Sequence, residues 1–365
     1  MGGIFMGNND IAVSISSQTS YKYGYLNKCL IITDDAEVPF TKLDGATADT
    51  ALAKLLETQG VTSEKLTKAI NLVISQVDNS GITITPEYVY IIGKKIEEGT
   101  ATYSELFEAI EEVTRANDFY CLVPLFEDVS FNEWFVAYGN SKKKTAITYT
   151  TEKLKAFLAN QKPKRMYCMY DGQSSGEVEF KNVALAARVM MYDSLIAYKW
   201  KTLIGVTTDE ISDTEVSTMA ALGINGYREV RSLGETTGSR AMSNTADTDV
   251  FFDEIIIKDN IIYNVAVGLN TMFKSNEIVP MGNVGSSLVL NAISSALAAC
   301  GDDGLIEPYE NGSYKYSVSI PTITANMRSV RELSGVTFKY LPTIPVEAIT
   351  VKGTELLEWV EESES

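Results

Sequence analysis

The chain has 365 residues, 45% of them hydrophobic, which is enough material for two or three packed units. Its 31 basic and 48 acidic residues give a formal net charge of −17 at pH 7, so its surface repels phosphate backbones and anionic lipids. The sequence contains no histidine, which excludes Ser/His/Asp and Cys/His hydrolases and most zinc or non-haem iron sites. We therefore expect no nucleic-acid partner, no metal ion and no cofactor.

The cysteines and the apolar stretches indicate a reduced protein that does not enter a membrane. Cys29, Cys121, Cys168 and Cys300 lie far apart, form no CxxC pattern and sit mostly within apolar runs, which predicts buried free thiols. The beginning of the chain has no pattern of a secretory signal peptide. The uncharged stretch 287–300 is too short to cross a bilayer, and we expect a core-facing helix there and no direct membrane insertion.

Strand and helix patterns alternate through the first half of the chain. Helices of ten to fifteen residues between strands indicate crossover connections and a largely parallel sheet covered on both faces. The fold class predicted for this half is α/β. Strands are expected at 10–16, within 23–34, and at 84–94, 118–126, 145–150 and 165–171. Helices are expected at 48–58, 63–77, 103–115, 131–138, 151–160 and 182–199.

Beyond about residue 200 the pattern changes to that of a smaller α+β unit. A helix at 213–222 and a strand at 224–233 precede a polar Gly/Ser/Thr stretch, and two long helices follow at 250–275 and 285–300. The segment 314–352 reads as strands, and a short helix follows it. We predict four parts: an arm at 1–20, an α/β domain at 21–205, an α+β domain at 206–345, and a second arm with an acidic tail at 346–365.

Two glycine-containing segments are similar to ligand-binding loops, but neither has the full residue pattern of such a loop. GNVGSS at 282–287 lacks the spacing of a dinucleotide loop and the spacing and lysine of a Walker loop, so a turn with a serine N-cap explains it. GDDG at 301–304 lacks the remaining acidic positions of a calcium loop, and a helix end followed by a turn explains it. No catalytic, cofactor-binding or metal-binding residue is assigned.

A succession of motifs runs from Trp200 to Ile306, namely WKTLIGVTTDEIS, INGYREV, DTDVFFDEIIIKDN, VPMGN and a helix ending in DGLI. In their order and spacing these motifs resemble the contractile-tail sheath proteins of bacteriophages and phage-tail-like particles. The closing segment SIPTITANMRSVRELSGVTFKYLP is similar to the C-terminal strands of such sheaths. The resemblance covers about residues 180–355, and it extends to the first half only through its α/β character.

The resemblance implies a structural subunit and not an enzyme. Such subunits polymerise in stacked, usually sixfold rings around a rigid tail tube, with the α/β domain outside and the smaller α+β domain facing the tube. The polymer contracts by rearranging its interfaces and drives the tube through a bacterial envelope. The implied partners are further copies of the chain, the tail tube protein, and baseplate and tail terminator proteins. The implied location is the tail of the virion, assembled in the cytoplasm of the bacterial host.

Sheaths of this kind are commonly held together by terminal arms that add strands to a neighbouring subunit's sheet, which is strand exchange between subunits. The sequence offers DIAVSIS near one end, with Ile11, Val13 and Ile15 on one face, and VEAITVKG near the other, with Ile349 and Val351. These five residues are the predicted assembly residues. An ordinary edge strand within the same subunit is the alternative for each arm.

Charged runs suggest a second kind of contact between copies. Lys142, Lys143 and Lys144 form a basic run in an acidic chain, and Glu358, Glu361 and Glu362 lie in the acidic tail. The alternatives are a solvated surface for the lysines and a solubilising tail for the glutamates. Two other functions remain open for the whole chain: a doubly wound enzyme acting on a small anionic metabolite, and a non-contractile tail or baseplate component.

Overall fold

A computed structural model of the chain describes residues 26–97, 103–117, 119–172, 177–191, 197–232, 235–241 and 250–346. The strands are β1 Cys29–Thr33, β2 Val38–Asp44, β3 Tyr88–Gly93, β4 Cys121–Pro124, β5 Thr145–Thr150, β6 Met166–Tyr170, β7 Ile224–Asn225, β8 Tyr227–Ser232, β9 Glu235–Ala241, β10 Tyr316–Ser319 and β11 Thr337–Tyr340. The helices are α1 Ala48–Gln59, α2 Glu64–Ser75, α3 Ser104–Ala116, α4 Val129–Lys142, α5 Lys155–Gln161, α6 Lys181–Leu185, α7 Asp213–Ala220, α8 Phe252–Ser275, α9 Asn283–Asp302 and α10 Ala325–Val330.

Seven strands form one sheet in the order β2-β3-β1-β4-β5-β6-β7. All neighbouring pairs are parallel except β2 with β3, which is antiparallel. Strand β1 is an interior strand between β3 and β4, with Ile31 opposite Ile91 of β3 and Val123 of β4. Every residue of β1 is buried, as expected for a parallel strand covered on both faces. The predicted α/β class of the first half is confirmed.

Alternate residues of the strands supply two separate cores. Ile31 points toward the face covered by α1, α2 and α6, while Leu30 and Ile32 point toward the face covered by α3, α4 and α5. This follows from the two-residue period of a strand, since successive side chains project to opposite faces. All four cysteines are free and buried, as the sequence predicts.

The C-terminal part forms a third core. Helices α8 and α9 pack against each other, and the antiparallel pair β10-β11 covers one side of them. The predicted helices at 250–275 and 285–300 and the strands within 314–340 are thus confirmed. The rest of the predicted closing strands and the final helix lie outside the described residues.

The structure differs from the sequence predictions in several places, among them α10, which lies in a segment expected to be strands, and α9, which begins after Gly282 without the expected serine N-cap. Strand β2 was not predicted, because VPFTKLD carries Pro39 and a bulge and shows no clean alternation. The helix expected at 182–199 ends earlier, with a π turn at Ala186–Met190 that is closed by the Met191 amide on the Ala186 carbonyl oxygen. The expected strand at 224–233 is two strands, and β7 joins the large sheet beyond the predicted domain boundary at 205. Finally, β9 lies in the stretch read as a polar loop.

Strand β9 escaped prediction because its sequence, ETTGSRA, is polar. It pairs with β8 in a separate two-stranded antiparallel sheet, with Tyr227 opposite Ala241 and Ser232 opposite Glu235. Main-chain groups make such a ladder, so the strand requires no apolar alternation. Hydrophobic periodicity therefore cannot reveal it.

Candidate assembly surfaces

The helix pair α8-α9 contains two long segments without charge in an otherwise acidic chain. Residues 260–273 and 278–301 have no Asp, Glu, Lys or Arg. A buried stripe on each helix forms the shared core, with Ile261 and Val265 on α8 and Ile293 and Leu297 on α9. Positions spaced by three and four residues share one face of a helix. Within 260–273 and 278–301, the faces that point away from this core are therefore uncharged.

Large apolar side chains are exposed on those remaining faces and around the turn between the helices. Ile278 is 77% exposed and Val284 is 66% exposed, and both belong to the connection between the two helices or the first turn of α9. Further exposed apolar residues of this region are Val267, Phe273 and Leu290. Contiguous exposed apolar surface of this kind marks a protein–protein interface more often than a free surface.

Helix α9 is longer than the core-facing stretch expected from the sequence. It spans 20 residues with a mean hydropathy of 1.5 over its best window, so by length and composition alone it could cross a membrane. A core helix of a water-soluble protein passes the same test. Here one side packs on α8 and on the β10-β11 sheet, which matches the predicted core-facing role.

Gly268 sets how closely the two long helices approach. A Cβ atom at this position would lie 3.1 Å from the Ala292 carbonyl oxygen and 3.3 Å from the Ala296 Cβ atom. Small residues on both helices therefore hold the pair together through close backbone contact. The arrangement fixes which faces of α8 and α9 point outward.

The sheet β10-β11 has only two strands. Tyr316 lies opposite Tyr340 and Ser319 opposite Thr337, and their inward side chains pack on the third core. The segment before β10 bridges to the ends of this pair, at Pro308 with Tyr314 and Ile306 with Pro342, but among the described residues no further strand pairs along Tyr316–Ser319 or Thr337–Tyr340. Since a two-stranded sheet is marginally stable alone and an open edge is a template for another strand, this sheet is the natural acceptor for an added strand.

A buried ion pair joins the large sheet to α8. The Arg165 guanidinium, just before β6, donates two hydrogen bonds to the Asp259 carboxylate, at 2.6 and 2.8 Å. The Tyr120 hydroxyl donates a third to the same carboxylate at 2.7 Å. Burial acts to lower the pKa of Arg165, but the hydrogen bonds and charge of Asp259 outweigh it and raise that pKa. Burial, followed by the charge of Asp259, raises the pKa of Tyr120.

Aromatic rings extend the same connection. The Phe252 ring, at the beginning of α8, lies 5.4 Å from the ring of Tyr167 in β6 and 5.2 Å from the ring of Tyr198. All three rings are fully buried. Edge-on and tilted contacts at these distances are favourable in addition to the apolar area they bury. The first half of α8 therefore belongs to the core of the large sheet, while its second half belongs to the third core.

Carboxylates follow the ends of the parallel strands, where a doubly wound enzyme would bind its substrate. Glu127, after β4, accepts hydrogen bonds from Thr150, Thr151 and the Lys153 amide. Although burial opposes it, these hydrogen bonds lower the pKa of Glu127. Asp35, after β1, accepts from Ser63 at 2.7 Å and caps the beginning of α2. These carboxylates are thus occupied by the chain's own donors.

Lys181 is the centre of a buried charged cluster at the same edge. Its ammonium contacts the Asp209 carboxylate and lies 3.8 Å from Asp171 and 3.9 Å from Glu179. Burial raises the pKa of Asp209 to about 6 despite the nearby lysine. Burial raises the pKa of Asp171 as well. Asp209 also accepts a hydrogen bond from the Tyr227 amide, so the cluster ties the segment before α7 to the sheet.

One open groove lies on the same unit, between α1 and α2. Its volume is ≈ 1000 Å³, and its lining includes Leu56, Val61, Lys68, Leu72 and Gly205. Within the described ranges no cluster of three or more His, Cys, Asp or Glu side chains could hold a metal ion. The groove therefore supplies space without a constellation of reactive groups.

The structure describes some of the predicted site residues and not others. Lys143 is exposed and Lys142 is half-buried, but Lys144 is buried, with its ammonium donating to the Phe119 carbonyl oxygen. Lys144 is therefore not part of an exposed basic surface, since β5 begins directly after it. The remaining predicted residues lie outside the described residues: Ile11, Val13, Ile15, Ile349, Val351, Glu358, Glu361 and Glu362.

Sequence reasoning missed the ion pair of Arg165 with Asp259 and the cluster around Lys181. The partners are separated by 94 residues in the first case and by 28 in the second, at the closest contact. The available signal is the position of Arg165, which ends the basic run KPKR directly before the apolar strand MYCMY. It indicates a buried partner without identifying it.

Neither a protein-family model nor a curated protein matches this sequence. Solved structures do match it in fold. A chain in the anti-feeding prophage (AFP) baseplate, 6-fold symmetrised, has a TM-score of 0.65 at 13% identity, covering 95% of this chain and 99% of that one. A chain of the PVC sheath complex of an extracellular contractile injection system, in the contracted state, has a TM-score of 0.61 at 15% identity, covering 95% and 98%.

A third similar structure comes from a bacterium. The sheath tail protein from Desulfitobacterium hafniense has a TM-score of 0.54 at 8% identity, covering 84% of this chain and 93% of that chain. At these identities the likeness concerns the fold alone. The chain therefore has, over nearly its whole length, the fold of proteins from contractile tail-like assemblies, sheath proteins among them.

Proposed function

We propose that this chain is a structural subunit of a contractile tail sheath and not an enzyme. The observation that carries the proposal is the end-to-end likeness to the contracted PVC sheath, which covers 95% of this chain and 98% of that one. A likeness of this extent includes the C-terminal unit as well as the α/β sheet. An α/β fold alone hosts many functions, so the combination of both units is the informative part.

The proposed subunit assembles in stacked rings around a tail tube and shortens by rearranging its interfaces. Sixfold rings are favoured by the symmetry of the AFP baseplate that contains a similar chain. The uncharged segments 260–273 and 278–301 of the helix pair, with exposed Ile278 and Val284, suit a surface that is covered in the assembly. We place this unit toward the tube and the α/β domain outside, in the tail of a virion or a related particle assembled in the host cytoplasm.

Strand exchange is the proposed connection between neighbouring subunits. The open edges of β10-β11 would receive the terminal arms, with Ile11, Val13 and Ile15 from one arm and Ile349 and Val351 from the other. Main-chain ladders keep subunits connected while their bodies rotate, which suits an assembly that changes length. In this proposal 1–20 and 346–365 are the arms, 21–205 is the outer domain and 206–345 is the inner domain, which contributes β7 to the outer sheet. The proposed partners are the tube, baseplate and terminator proteins.

Electron microscopy of the purified protein at increasing concentration tests the proposal. Striated hollow cylinders of uniform diameter are expected. A double variant with Val13→Pro and Ile15→Pro is expected to remain unpolymerised but folded, because proline removes the amide donors that a strand ladder requires. Val13→Thr with Ile15→Thr is the matched control that keeps those amides. A wild-type protein that stays monomeric at high concentration would contradict the sheath function.

One observation favours a second candidate, a non-contractile baseplate component. The structure with a TM-score of 0.65 is of a baseplate. Discs of fixed height in the same micrographs, instead of cylinders that grow in length with concentration, would support this candidate over the sheath.

A further inference from the structure

Three cations gather at the end of the sheet where β5 and β6 begin. Lys143 directly follows α4 and lies two residues before β5, and Lys164 precedes Arg165 and β6. The Ala146 amide donates to the Arg165 carbonyl oxygen at 3.0 Å, which brings the two strand beginnings side by side. Lys258 on α8 adjoins Asp259, the partner of Arg165. We call Lys143, Lys164 and Lys258 the basic corner.

The basic corner has unbalanced positive charge. Among the described residues, none of its three ammonium groups forms an ion pair with a carboxylate. Burial lowers the pKa of Lys258, the Asp259 charge opposes this, and the cations of Arg165 and Lys143 lower it further. An anionic surface placed against this corner would relieve the repulsion between like charges.

A group of exposed carboxylates lies on α3 and near the beginning of α4. Glu108 and Glu112 are exposed one helical turn apart on α3, and Glu133 is exposed on α4. The two helices are in direct contact there, since the rings of Phe107 and Trp134 stack at 4.7 Å. None of the three carboxylates forms an ion pair within the part of the chain that the structure describes. We call Glu108, Glu112 and Glu133 the acidic face.

The two surfaces cannot neutralise each other within one molecule. Helix α4 connects them, with Glu133 near its beginning and Lys143 just past its end. Ten residues at the helical rise separate these two positions by about 15 Å, well beyond ion-pair distance and beyond the Debye length of about 8 Å in physiological salt. Their charges are therefore available to other molecules.

We propose that the basic corner of one copy docks on the acidic face of a second copy. The inference rests on the proposed sheath function and names one contact within it. Because the two surfaces differ, the contact is head-to-tail, and a head-to-tail contact repeats into closed rings or open helices. A net charge of −17 makes copies repel each other in general, so a local pairing of opposite charges also orients their approach.

Charge reversal with exchange tests this contact. A corner variant carries Lys143→Glu and Lys164→Glu, and a face variant carries Glu108→Lys and Glu112→Lys. Each alone is expected to raise the concentration at which assembly begins by at least about tenfold, because like charges then meet. An equimolar mixture is expected to restore assembly, since the acidic corner of one variant fits the basic face of the other. Lys54→Glu with Lys153→Glu is the control with the same change in net charge as the corner variant.

Sedimentation of the two variants, alone and mixed at low salt, provides a second readout that needs no cylinders. A complex that forms in the mixture, and that neither variant forms alone, supports the contact. It does so even if the wild type does not polymerise, because the absence of polymers would contradict only the sheath function. Reversed variants that assemble like the wild type, or a mixture that gains nothing, would overturn the inference. Binding of duplex DNA that only the corner variant loses would also overturn it.

Discussion

The α/β unit and the C-terminal helix pair differ in how completely they bury their apolar surface. In the α/β unit the strands are covered on both faces, and its charged groups at the sheet edge have partners within the chain, as Glu127 and Lys181 show. In the helix pair, apolar residues such as Ile278 and Val284 remain exposed, and the β10-β11 sheet has open edges. The first unit resembles a finished domain, and the second resembles one side of an interface.

This difference indicates where each unit's sequence is constrained. The α/β unit buries its apolar groups and pairs its buried charges within the chain, so its interior residues serve folding and only its exposed charges are available for assembly. The helix pair buries one stripe of apolar residues and leaves other uncharged surface exposed for a partner. In an acidic protein, exposed surface would otherwise be expected to carry charge. Arg165 and Asp259 connect the two units, so the first prediction concerns the removal of this ion pair.

Breaking that connection should have the largest effect. Arg165→Ala leaves the Asp259 carboxylate buried without its cation, because the two side chains are only 12% and 8% exposed. We expect a loss of about 3–5 kcal/mol in the free energy of unfolding, measured by urea denaturation. Arg165→Lys, which keeps the charge but not the two-bond geometry, should lose less. Equal losses in both variants would show that the two-bond geometry of the guanidinium, and not its charge alone, stabilises the connection.

The core and the exposed face of α9 provide the next comparison. Ile293 is 2% exposed, so Ile293→Ala should lower the free energy of unfolding by about 2–5 kcal/mol through lost contacts and a cavity. Val284 is 66% exposed, so Val284→Ala should change it by no more than about 0.5 kcal/mol.

A second substitution of Val284 separates an effect on assembly from an effect on folding. Under the proposed function, Val284→Ser should weaken cylinder formation in electron micrographs while leaving the urea midpoint of the soluble subunit unchanged. Cylinders that form as readily as in the wild type would place Val284 outside the assembly interface.

The last comparison concerns pH. The pKa of Asp209, ordinarily 3.8, is about 6 in the folded protein, so the folded state holds the proton more tightly than the unfolded chain. Its contribution to the free energy of unfolding therefore decreases as the pH rises from about 4 to about 6. Relative to the wild type, Asp209→Asn should become more stable over that range.

The stability contribution of Glu127 is expected to depend on pH in the opposite direction. Its pKa is lowered, so its contribution is lost as the pH falls, and Glu127→Gln should become less stable relative to the wild type as the pH rises. Urea denaturation at several pH values measures both trends. Parallel curves for Asp209→Asn and the wild type would show that the pKa of Asp209 is not raised.

Much of the fold was predictable because its elements are long and periodic. Helix α8 and strand β5 were placed closely, since apolar residues recur with the period of a helix in one and form a short buried run in the other. Strand β9 and the antiparallel strand β2 were not predicted. An edge strand or a two-stranded ribbon depends on main-chain pairing, which leaves only a weak pattern of apolar residues in the sequence. Lys144 was misplaced with its exposed neighbours because a run of like residues conceals a change of burial.

The sequence by itself determined the α/β character, the uncharged helix pair and the absence of histidine chemistry, since composition and short-range periodicity carry that information. Only the tertiary structure decided that Arg165 meets Asp259, that Lys181 collects several carboxylates, and that the basic corner and the acidic face lie apart. The physical reason is that these contacts join distant parts of the chain, and charge pairing over such separations depends on how the layers pack and not on any local pattern.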